Sequence, residues 1–145
     1  MLAVESAHCP ISLFPPIAVA LVDLARRVAL ARASIGKAFV ALADGRDMAL
    51  AAELHRMRAV LSLRADASDS DSAEQDLGRA LAIARRQGAL SLELRAGREL
   101  ARMLMARGKN QEAGSLLAPF YARFTEGFDT PDLLEVKALL DGMRD

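Results

Sequence analysis

Six helices and no strand is the fold that the sequence predicts, and three features predict it. Hydrophobic residues make up 52% of the 145-residue chain, yet there are only five phenylalanines, one tyrosine and no tryptophan, so small and aliphatic residues carry the apolar content. That composition favours close-packed helices over sheet. Apolar positions recur at spacings of three and four along most of the chain. Turn residues fall where such runs should stop and start, at Asp44-Gly45, Gly88, Gly108, Gly127 and Pro131. A chain of this length suits one domain, able to bury roughly 68–70% of its unfolded surface.

Residues 1–14 read as an irregular N-terminus and residues 15–45 as a long helix or helix pair, opening at Pro15-Pro16. Ile17, Leu21, Leu24, Val28, Ala31, Ile35, Ala38 and Leu42 form a heptad-like stripe on it. Over residues 16–43 such a helix is roughly 40 Å long, and Ser34-Ile35-Gly36 is where it would divide. Residues 46–143 hold the remaining helices, expected at about 47–64, 73–87, 90–107, 111–126 and 131–143. Met48, Ala51, Leu54, Met57 and Leu61 mark the packing face of the second, and the acidic stretch 66–72 reads as a solvated loop. Leu77, Ala80, Leu81 and Ala84 face one way on the third.

The fourth helix has the clearest polarity. Arg95, Arg98, Glu99 and Arg102 fall within one arc, opposite Leu90, Leu94, Gly97, Leu100, Ala101 and Leu104. Gly97 and Ala101 are small where a neighbouring helix must approach closely. The fifth helix should bury Ala113, Leu117, Phe120 and Phe124, bend at Pro119, which lacks an N–H, and stop at Gly127. Four of the six aromatic residues, Phe120, Tyr121, Phe124 and Phe128, gather here and plug the end of the core. This aromatic cap is expected to matter more to stability than any charged residue. Thr130 caps the sixth helix, with Pro131 at its first position and Asp132 on the positive end of its dipole.

Paired helices joined by short turns prompt a search for an internal period. Leu54-His55-Arg56-Met57-Arg58 falls over Leu94-Arg95-Ala96-Gly97-Arg98 at an offset of 40, and Glu74, Ala80 and Ala84-Arg85 fall over Glu112, Ala118 and Ala122-Arg123 at 38. The predicted architecture is therefore antiparallel helix pairs stacked as a short tetratricopeptide-like right-handed solenoid with a C-terminal capping helix. Residues 87–96 (QGALSLELRA), Leu117-Ala118-Pro119, residues 124–133 (FTEGFDTPDL) and Lys137-Ala138-Leu139-Leu140 carry a resemblance. Over residues 52–143 the chain resembles the C-terminal tetratricopeptide-like region of large bacterial signalling proteins built around a predicted ATPase. Those proteins often carry a class III adenylate/guanylate cyclase domain or a winged-helix DNA-binding domain at the N-terminus. Leu104 and Ala122 or Arg123 stand where that pattern places tryptophans, and residues 1–45 depart from it. The resemblance brings no nucleotide-binding, cyclase or DNA-binding residues, so the chain looks like a detached or truncated tail.

Several motifs fail on inspection. Gly36-Lys37 lacks the phosphate loop's earlier glycine and following hydroxyl, since Ala31 and Ala38 occupy those places. Asp69-x-Asp71 has Glu74 where a calcium loop needs glycine and Ala80 where it needs glutamate. His8-Cys9 has no second ligand pair, and His55 has no partnered nucleophile. No catalytic residue, cofactor or metal ion is implied. Nineteen basic against nineteen acidic residues argue against nucleic acid or an anionic membrane, and the single Cys9 fits a reducing cytoplasm.

What remains is one candidate recognition surface, the stripe Arg58, Arg95, Arg98 and Arg102, where an arginine fork could grip a partner's carboxylate. Against it stands a solvated face in which Glu99 pairs with Arg95 and Arg102 at helical spacing. The expected function is a non-catalytic interaction or regulatory module with a protein or peptide partner. The alternative is a fragment of a cyclase, or of an ATPase-type transcriptional regulator, whose activity resided in missing N-terminal domains. A monomer is favoured, in which the first helix folds back as a cap; the alternative is a homodimer through residues 17–42.

Overall fold

The computed structural model describes residues 14–43 and 50–144, with the side chains of 19–42 and 50–144. Six helices account for most of them: α1 (Phe14–Ala43), α2 (Ala51–Ala65), α3 (Ser70–Gln87), α4 (Leu90–Ala106), α5 (Asn110–Tyr121) and α6 (Pro131–Gly142). No strand occurs among the described residues. The irregular stretch expected before residue 14, His8-Cys9, the Asp44-Gly45 turn and Met48 lie outside the described residues.

α1 is one unbroken helix through Ser34–Gly36. Its C-terminal half folds back on α2, and the order of contacts fixes the direction. Leu42 packs against Ala51 and Ala52, Phe39 against His55, and Arg32 lies near Arg64 and Ala65. The pairs descend on one helix as they rise on the other, so α1 and α2 are antiparallel. The same test makes α2 and α3 antiparallel: Ala51 and Ala52 meet Ile83 and Ala84, while Ala59 meets Ala73 and Leu77.

Two of the expected stops work as the glycine rule requires. Gly88 (φ 65°) and Gly108 (φ 74°) adopt the left-handed conformation, and the following N–H groups of Ala89 and Lys109 bond back to Ala84 and Leu104. Two boundaries differ from expectation. α3 begins at Ser70, absorbing the end of the acidic loop and placing Asp71 in its first turn, on the positive end of the dipole. α5 ends at Tyr121, two residues after Pro119, so Gly127 does not stop that helix. Gly127 (φ 76°) instead turns the connection to α6, and its carbonyl accepts both the backbone N–H and the hydroxyl of Thr130. With its hydroxyl so used, Thr130 occupies the N-cap position without a side-chain cap bond.

The main core joins α3 to α6 through Leu81, Leu94, Leu117, Phe120, Leu133 and Val136. Gly97 is essential to it. A Cβ there would lie 2.7 Å from the Phe120 ring, so only hydrogen lets α4 and α5 close to this distance. Of the other cap aromatics, Phe124 is half-buried against the core, and Phe128 folds back to Tyr121 at 5.7 Å between centroids while staying largely exposed. Burial also corrects the period within the second helix of each pair. Ala73 and Ala113, and Leu77 and Leu117, are completely buried 40 residues apart, whereas Ala118 and Ala122 are exposed where Ala80 and Ala84 are buried.

Candidate functional site

Of the four arginines singled out in the sequence, Arg95, Arg98 and Arg102 come together on α4 and Arg58 lies on α2, and each is engaged within the chain. Arg95 Nε donates to Asp132 at 2.6 Å, and Arg98 Nη1 donates to the other oxygen of the same carboxylate at 3.0 Å. Arg98 also reaches Glu135 at 2.8 Å and Glu99 at 3.1 Å. Arg102 bridges Glu99 and Glu135, each at 3.2 Å. From α2, Arg56 donates to Glu53 at 2.6 Å and approaches Glu99 at 3.7 Å. The result is a ladder crossing α2, α4 and α6, with Arg56, Arg95, Arg98 and Arg102 matched by Glu53, Glu99, Asp132 and Glu135. Because Arg95 to Asp132 is followed by Arg102 to Glu135, α4 and α6 run parallel.

The pairing differs from the helical-spacing scheme in a way that geometry explains. Arg102 does pair with Glu99, but Arg95 turns to Asp132 because α6 packs along the polar side of α4. That packing buries Arg98 to 9% exposure, so it is not the solvated surface arginine that the helical wheel implied. Asp132 is held at the N-terminal turn of α6, where its charge also answers the helix dipole.

Arg58 stands apart from this ladder. Its guanidinium forks both oxygens of Asp76 on α3, Nε at 2.6 Å and Nη2 to the second oxygen, and lies 4.3 Å from the centroid of Phe39. His55 Nδ1 is 3.1 Å from Asp76, and its ring meets Phe39 edge-on at 4.7 Å. An ionised carboxylate only accepts, so with neutral His55 the proton sits on Nδ1. Burial lowers the His55 pKa below the usual 6.5 despite the opposing pull of Asp76. Burial pushes Asp76 upward, but bonds and charges from Arg58 and His55 outweigh it and leave the carboxyl below its usual 3.8.

A third carboxylate was not singled out in the sequence. Glu93 is buried on α4 and accepts from Arg123 at 2.7 Å, with Arg85 at 3.7 Å and stacked over Phe120 at 5.6 Å. Both missed acids carry the same signal. Asp76 immediately precedes Leu77 and Glu93 immediately precedes Leu94, each inside an apolar stripe where a charge needs a partner.

Residues 124–127 and 130–133 line a cleft of about 680 Å³ with Leu90, Leu94, Arg95 and Arg123. Both arginines there already hold carboxylates, Asp132 and Glu93. Among the described residues, no group of three or more His, Cys, Asp or Glu is placed to hold a metal ion, and no helix is long and apolar enough to cross a membrane. No family model, curated protein or solved structure matches this chain.

Proposed function

We propose that this chain is a non-catalytic helical-repeat module of tetratricopeptide-like form, serving as an interaction or regulatory element. The observation that carries the reading is the burial period of 40 residues. Ala73 and Leu77 recur as Ala113 and Leu117, and Glu93 and Ala96 recur as Leu133 and Val136. Equivalent positions meet equivalent neighbours when helix pairs stack in one direction. Antiparallel consecutive helices, with α2 near α4 and α4 near α6, fit the same arrangement. In it, α6 acts as the closing cap and the carboxylate ladder locks the first helices of successive pairs in register.

The arginine stripe then serves cohesion before recognition. A partner that used Arg95, Arg98 or Arg102 would have to displace an internal carboxylate first. The sequence resemblance to the tail of ATPase and cyclase signalling proteins supports reading the chain as the kind of module that follows catalytic domains in such proteins. Incubating the purified chain with magnesium and ATP or GTP tests this. No hydrolysis and no cyclic nucleotide are expected, and turnover that disappears when one of the chain's own residues is substituted would overturn the reading. A crystal structure in which α2, α4 and α6 do not stack side by side would overturn the repeat assignment separately.

A further inference from the structure

The strangest surface of the molecule lies on α1. Its apolar stripe is covered best toward the C-terminal end, where Ile35 is at 5% exposure and Leu42 packs on Ala51 and Ala52, while Ala31 and Val28 are half-buried. α2 ends at Ala65, and the stripe continues beyond that end with no described residue over it. Leu21 is 62% exposed and Leu24 is 58% exposed, and with Val28 they floor a groove of about 520 Å³ that Arg64 and Ala65 close at one end. From Leu21 to Ala31 the open stripe is about 15 Å long, close to three helical turns. Contiguous apolar surface of this kind marks an interaction site.

Two observations define its occupant. The first is continuity. The uncovered residues keep the heptad register of the covered ones, so a helix lying roughly in line with α2 would meet the same knobs that α2 meets. The second is charge. Arg32 and Arg64 rim one side of the groove. Arg27 lies away from the groove on α1, exposed and paired with Asp23 at 2.7 Å. α1 as a whole carries Arg26, Arg27, Arg32 and Lys37 against Asp23, a balance of 4 − 1 = +3. A second copy of α1 laid in this groove would bring +3 against +3. Like charges across a helix interface are unfavourable, and opposite ones set partner choice.

We propose that the groove between the N-terminal half of α1 and the end of α2 docks an amphipathic helix of another protein whose apolar face is flanked by Asp or Glu. The groove belongs to α1 and α2 alone, whatever the ancestry of the other helices. Binding follows the helix-in-groove mode, with aliphatic anchors at three and four spacing giving affinity and the acidic flanks giving selectivity.

The test uses the full chain and two labelled synthetic helical peptides of about 18 residues. Both carry the same leucine stripe, one flanked by glutamates and the other by lysines, and binding is followed by fluorescence anisotropy. The glutamate-flanked peptide should bind at least tenfold more tightly, and its advantage should shrink as salt is raised. Leu21→Asp with Leu24→Asp should abolish binding while leaving the circular-dichroism spectrum intact, because both side chains are more than half exposed. Arg32→Glu with Arg64→Glu should invert the preference between the peptides. Equal binding of both peptides, or binding of neither, would overturn the proposal. So would a concentration-dependent doubling of the 15.6 kDa mass that Leu24→Asp abolishes, since a second copy would then own the groove. Association of the chain with anionic vesicles in place of the peptide would overturn it in favour of a membrane surface.

Discussion

α1 and α4 are both helices with apolar residues at spacings of three and four, and they fare oppositely. α4 buries seven of its 17 residues, two of them charged. Ile35 is the only residue buried among the described side chains of the 30-residue α1. The difference lies in neighbours more than in periodicity. α2, α3, α5 and α6 surround α4, so even its polar arc is enclosed and must be neutralised. α1 runs beyond the end of α2, its principal neighbour, so half of a well-formed stripe faces water. A hydrophobic pattern states what a helix offers for burial, and the surrounding elements decide whether the offer is taken up.

If this contrast is right, substitutions of similar size should have very different effects at the two ends. The largest loss is expected for Phe120→Ala, about 3–5 kcal/mol in denaturant unfolding, because the ring fills the core against Gly97. Half-buried Phe124 should cost less when truncated than buried Phe120. Arg98→Met comes next, at about 1.5–3 kcal/mol, since it removes one of the two arginines on Asp132 and the charge-assisted bonds to Glu99 and Glu135 at a buried position. A loss under about 0.5 kcal/mol would return Arg98 to the class of ordinary surface arginines. Gly97→Ala should destabilise by about 1–3 kcal/mol, because the aromatic ring facing the new methyl cannot flex out of its way.

A pH series sharpens the comparison at the α1–α2 junction. His55 is held below 6.5, so the unfolded chain takes up that proton more readily than the fold does. Stability should fall as pH drops below about 6.5. Asp76, held below 3.8, adds stability that is present above that value and lost as pH falls through its lower folded value. Both act in the same direction. The melting temperature should decline between pH 7 and pH 5, and His55→Gln should flatten this decline. The smallest effect belongs to Leu24→Ser on the open half of α1, within about 0.5 kcal/mol in unfolding of the isolated chain. A loss of several kcal/mol there would mean that the groove is already filled.

The helices themselves were legible because their signals are local. Gly88 and Gly108 stop helices through their own φ angles, and Pro131 starts one through its ring. The end of α5 was misplaced because Gly127 carries the same left-handed signal, whereas Pro119 acts earlier by removing a hydrogen bond. The arginine stripe and its partner Glu99 were legible, but Asp132 and Glu135 were not, because they come from a helix more than 30 residues away whose packing side is fixed only in three dimensions. Asp76 and Glu93 were missed for the converse reason. Each resembles an ordinary helix-surface acid until its apolar neighbours show that it points inward.

The close approach of Gly97 and Phe120 reaches beyond stability, to how this chain can change over time. With hydrogen at 97 and a full ring at 120, neither position is free to drift alone. A methyl at 97 becomes neutral only after the ring has shrunk, and a smaller residue at 120 leaves a hole that a larger one at 97 would fill. The two sites are therefore epistatic: substitutions should be accepted in pairs and in a preferred order. Their joint state, more than the identity of either residue, measures how closely α4 and α5 can lie.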